Sequence, residues 1–91
     1  MIALLQRSAP ELAQRYRMRS MGIFGSYARR QQRQGSDFDV LVEFSDTPSL
    51  LKFIEMENHL SDLLGVKVDL VMREALKPGI GERILSEVIP L

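Results

Sequence analysis

Ser36-Asp37-Phe38-Asp39-Val40-Leu41-Val42-Glu43-Phe44 carries two patterns at once. Every second residue, Phe38, Val40, Val42 and Phe44, is apolar, while Asp37, Asp39, Leu41 and Glu43 form the other set. Successive side chains of a β-strand point to opposite faces, so Asp37 to Phe44 is predicted as a strand with its apolar face on a core. The other face then presents two carboxylates, at i and i+2. Asp37 follows Gly35-Ser36 and also fits an ordinary turn acid. Asp39 lies deeper in the strand, where a charge needs a partner, an ion or water.

Outward from this strand the chain alternates helical and extended segments. Ser8-Ala9-Pro10-Glu11 reads as a capping box with proline in the first turn, so a helix is expected from there to Arg17. Arg19 to Phe24 reads as a short strand ending at Gly25. Ser26 is a candidate cap for a helix over Tyr27 to Gln34, which Gly35 stops. After the central strand, Asp46-Thr47-Pro48 opens a long helix, with Thr47 as cap and an apolar stripe of Leu50, Phe53, Ile54, Leu60 and Leu64, closed by Gly65. Val66 to Met72 is a third strand, with Val66, Val68 and Leu70 on one face and Lys67, Asp69 and Val71 on the other. Pro78 opens a last helix holding Ile80, Ile84, Leu85 and Val88, and Pro90 closes it. The expected order is α-β-α-β-α-β-α, an α/β (α+β) fold with helices on one side of three strands. The long helix between the second and third strands favours their parallel pairing.

Ninety-one residues, 1–91, are expected to form one domain with a small core. No cysteine is present, which excludes disulfides and thiolate metal sites and suits a reducing cytoplasm. No apolar run approaches the roughly 20 residues that span a bilayer, and Met1 to Arg7 lack the form of a signal peptide. The formal charge is zero but uneven: residues 1–36 hold seven arginines and one acid, and residues 37–91 hold eleven acids and five basic residues. Solvated helix faces account for such a split as readily as a side facing phosphate or an acidic partner. A pI near 6.6 with no interleaved aromatics gives no sign of direct nucleic-acid binding. His59, the single histidine, sits among polar residues and reads as a surface side chain.

The chemistry lies in Asp37, Asp39 and Asp69. If the second and third strands are neighbours in register, the three carboxylates share one face. Carboxylate oxygens are hard ligands of the kind magnesium takes alongside water and phosphate, and three of them suit a two-metal site about 3.5–4 Å across. Gly25-Ser26, separated from Asp37 by ten residues, adds a turn where backbone can approach a phosphate and a hydroxyl can bond it. Arg29 and Arg30, about one turn later, are candidate phosphate contacts.

Gly25-Ser26-Tyr27-Ala28-Arg29, Ser36-Asp37-Phe38-Asp39-Val40-Leu41-Val42 and Leu64-Gly65-Val66-Lys67-Val68-Asp69-Leu70-Val71 together resemble the minimal nucleotidyltransferases of the DNA polymerase beta-like superfamily. The resemblance runs from about Arg19 to Leu91. It implies a small mixed three-stranded sheet with helices packed on one side, Asp37 and Asp39 as magnesium ligands, Asp69 as third ligand or base, and Gly25 and Ser26 on the phosphates of ATP. It also implies an antitoxin that meets a HEPN-domain ribonuclease toxin and transfers AMP to one of its tyrosines, alone or within a homo- or hetero-oligomer. Two other outcomes fit the same residues: silencing of the toxin by contact alone, and adenylation of a small hydroxylated molecule. One departure stands out, because Arg30 occupies a position where the family usually has glycine.

Overall fold

The computed structural model describes residues 2–31, 33, 35 and 37–91. The elements are α1 (Ile2–Tyr16), β1 (Met18–Phe24), α2 (Gly25–Ala28), β2 (Phe38–Phe44), α3 (Leu50–Leu64), β3 (Val68–Met72), a 3-10 turn (Arg73–Ala75), α4 (Ile80–Glu87) and β4 (Ile89–Pro90). The sheet order is β3-β2-β1-β4. β2 pairs parallel with β3 and antiparallel with β1, and β4 pairs antiparallel with β1. The mixed α/β class is as the sequence implies, but the sheet has a fourth strand. β4 escapes sequence reading because it is two residues long and contains Pro90; the Leu91 amide extends the contact by donating to the Met21 carbonyl at 3.0 Å.

The alternation in β2 divides the molecule. Phe38, Val40, Val42 and Phe44 are all buried and pack against Met21 and Ile23 of β1 and Val68 and Leu70 of β3. Leu5, Leu12 and Tyr16 of α1 and Met56 and Leu60 of α3 cover them. On the opposite face Phe24 and Leu41 are also buried, and Val88 lies over Gly22, where an added Cβ would meet its Cγ2 at 2.6 Å.

Several expected boundaries move. α1 begins at Ile2, so Ser8-Ala9-Pro10-Glu11 is helix interior and caps nothing. Pro10 lies inside the helix on its exposed side, and Leu5, Ala9, Leu12 and Tyr16 give the helix its buried stripe. α2 ends at Ala28, well short of Gln34; Gln32, Gln34 and Ser36 lie outside the described residues. Ser26 does not cap it, since Gly25 is already helical and no side chain caps the helix. The cap of α3 is Ser49, whose hydroxyl accepts the Lys52 amide at 3.2 Å, in place of Thr47. Gly65 closes that helix in the left-handed conformation, as its type suggests. The expected α3 stripe is rotated: Met56 and Leu60 are buried, Phe53 and Leu64 half-buried, while Leu50 and Ile54 face outward.

β3 is a sheet edge, yet two of its outward amides, those of Val68 and Leu70, are bonded. The Val68 amide donates to Ser61 Oγ at 3.0 Å and the Leu70 amide to Glu57 Oε2 at 2.9 Å, both side chains of α3.

Candidate active site

The parallel register sets Asp39 directly beside Asp69, with Phe38 beside Val68 and Val40 beside Leu70. The antiparallel register sets Phe24 opposite Asp39, which brings the next residue, Gly25, onto the same carboxylate. Gly25 has φ +73°, and a Cβ built there would lie 3.0 Å from Asp39 Cγ and closer still to its Oδ2. The glycine is therefore required twice over, by a backbone conformation that side chains resist and by the space Asp39 fills. Sequence reasoning gave Gly25 to the phosphates; its first structural task is to admit Asp39.

Asp39 is half-buried and Asp69 exposed. Burial raises the Asp39 carboxyl above its ordinary range; the neighbouring carboxylates of Asp69 and Asp37 and a hydrogen bond with Asp69 add to it, and only Arg29 opposes. Asp37, just before β2, is drawn to Lys67 Nζ at 3.9 Å. Asp39 and Asp69 thus form the core of the site, with Asp37 at its margin. Among the described residues no three acidic or histidine side chains already form a cage for a metal. The donor chemistry nevertheless fits magnesium: carboxylate oxygens sit at an electrostatic cost that a cation would lift, and magnesium commonly completes its shell with phosphate and water.

Arg29 is held elsewhere than the sequence suggested. Its Nη1 donates to Glu87 Oε2 at 2.9 Å, at the end of α4, and its Nε to Gln31 Oε1 at 3.3 Å. Glu87 was missed because an acid at a helix end looks like any solvated one; only the fold brings it to Arg29. Ser26, half-buried, has no hydrogen-bond partner for its hydroxyl among the described residues, and so remains available to a ligand. Arg30 has φ +56°. The Gln31 amide bonds the Ser26 carbonyl at 2.8 Å and the Arg30 amide the Tyr27 carbonyl at 3.2 Å, the paired bonds of a Schellman ending whose left-handed position is usually glycine.

Two acids stand aligned across a parallel strand pair with a glycine turn against them, and the chain belongs to the nucleotidyltransferase domain family, which it matches over residues 5–91. It is 48% identical over 87 residues to the protein adenylyltransferase MntA of Thermococcus cleftensis, spanning 96% of this chain and 88% of that one. A solved structure described as a candidate minimal nucleotidyltransferase superposes with a TM-score of 0.84 at 36% identity, covering 99% of this chain and 92% of the other. A toxin–antitoxin structure with AMP-PNP superposes with a TM-score of 0.74 at 25% identity, covering 98% and 67%. No helix among the described residues is long and apolar enough to cross a membrane.

Proposed function

We propose that this protein is a cytoplasmic antitoxin that transfers AMP from ATP to a tyrosine hydroxyl of a HEPN-domain ribonuclease toxin. The carrying observation is the side-by-side placement of Asp39 and Asp69 beneath Gly25. The relationship to a protein adenylyltransferase supports the reaction, and the likeness to a toxin–antitoxin structure with a nucleotide analogue supports the setting.

The new bond joins the acceptor oxygen to the α-phosphorus; the bond to pyrophosphate breaks, and the hydroxyl proton departs. Asp37, Asp39 and Asp69 would hold magnesium, which supplies positive charge to the phosphates and acidifies the acceptor hydroxyl. Asp69, the most exposed of the three, is suited to accept the proton of that hydroxyl on its carboxylate. Gly25 leaves room for the nucleotide to approach the backbone, and the Ser26 hydroxyl can donate to a phosphate oxygen. Intact-mass measurement of a cognate HEPN-domain protein, after incubation with this chain, ATP and magnesium, should show about 329 Da added per AMP, as phosphoryl-group chemistry at a hydroxyl requires. Asp69→Asn should remove the shift and leave the complex intact. A partner that is silenced without any added mass would replace transfer with inhibition by contact.

A further inference from the structure

Asp69 owes its position to a helix that carries none of the site's acids. β3 has one strand neighbour, β2, and on that side the Phe38 amide donates to the Lys67 carbonyl at 2.8 Å. On its outer side, the amides immediately before and after Asp69 are both bonded to α3. Val68 donates to Ser61 Oγ at 3.0 Å and Leu70 to Glu57 Oε2 at 2.9 Å. Ser61 Oγ in turn donates to the Glu57 carbonyl at 3.0 Å, which commits its hydrogen and turns a lone pair toward Val68. Glu57 and Ser61, four residues apart, share a helix face. Met56 and Leu60, both fully buried, fix α3 against the core beside them.

We propose that Glu57 and Ser61 are positioning residues for AMP transfer: by holding the backbone on both sides of Asp69, they set the separation of the Asp69 and Asp39 carboxylates. This rests on the role of Asp69 in the function proposed above. An edge strand held only by β2 could shift or twist at its free side, carrying Asp69 with it. Displacement of a reacting group by about an ångström costs up to roughly a hundredfold in rate. The bonds bracket the one site acid that lies on an edge, while Asp39, in the central β2, is fixed from both sides by strands.

The test compares Glu57→Ala, Glu57→Gln and Ser61→Ala in AMP transfer to the HEPN protein at saturating ATP and magnesium, with amide exchange at Val68 and Leu70 measured on the same samples. Glu57→Ala should lower kcat by roughly 10- to 100-fold, leave the KM for ATP within about threefold, and speed exchange at Leu70. Glu57→Gln should restore most of kcat, because its amide oxygen accepts the same bond. Parental kcat in Glu57→Ala despite faster Leu70 exchange would overturn the proposal, since the bonds would then only seal the edge. So would equal damage in the Gln and Ala variants. Should Glu57→Ala fail to fold, Ser61→Ala, which loses the bonds to the Val68 amide and the Glu57 carbonyl, decides by kcat and by amide exchange at Val68. A parent chain that transfers no AMP sinks the proposed function and this inference with it; an active parent with indifferent variants sinks the inference alone.

Discussion

At Gly25 the smallest possible change is already large. Gly25→Ala adds one methyl into the Asp39 carboxylate at a residue with φ +73°. The conformational part costs about 1 kcal/mol, and the clash displaces the Asp39 carboxylate from its place in the pair with Asp69. Calorimetry with ATP and magnesium should show binding weakened more than the melting temperature alone would suggest. Arg30 presents the opposite case: it is exposed, left-handed and at a position that suits glycine. Arg30→Gly should raise stability by about 0.5–1 kcal/mol in urea denaturation. Asp39 itself trades stability for chemistry. Its folded pKa lies above the unfolded value, so the ionised carboxyl costs stability. That cost is complete above the folded pKa and vanishes as pH falls below the unfolded one. At neutral pH, without metal or nucleotide, Asp39→Asn should therefore melt a few degrees above the parent while transferring no AMP.

Elements were legible where one pattern governed them alone. β2 shows its alternation because both of its faces are committed, one to the core and one to the site. α2 was overextended because Ala28-Arg29-Arg30-Gln31 are good helix formers, and the left-handed residue that ends the helix is an arginine where glycine would have signalled the stop. α1 was shortened by a capping pattern that its burial stripe overrides. Of the site, Asp39, Asp69 and Gly25 could be read from spacing, whereas the Arg29–Glu87 pair and the Glu57 and Ser61 bonds could not, since each joins residues that only tertiary structure brings together. At the end of α1, Tyr16 is 3% exposed and its buried hydroxyl, with the Glu55 carboxylate nearby, makes no well-formed hydrogen bond among the described residues. Tyr16→Phe keeps the ring and removes the stranded group. It should be neutral or stabilising by about 1 kcal/mol in thermal denaturation.

Across the whole molecule, part of the charge imbalance along the sequence is resolved by folding. Arg15 meets Glu55 at 3.9 Å, Arg17 meets Asp46 at 3.3 Å and Arg29 meets Glu87 at 2.9 Å, each joining the basic first third to the acidic remainder. These arginines are substantially exposed, so each pair contributes at most about 1 kcal/mol. Raising salt from about 0.05 to 0.5 M should shift the melting temperature by only a degree or two. The β1–β4 pairing has a different consequence, for the order of events during synthesis. Gly22 and Ile23 lie opposite Pro90 and Ile89, so a strand made early waits for residues made about three-quarters of this chain later. The intervening β2–β3 unit consists of nearer neighbours and can close first, at a smaller entropic cost of loop closure. A chain lacking Ile89 to Leu91 would thus keep β2 and β3 paired, with Asp39 beside Asp69, while one margin of β1 stays open.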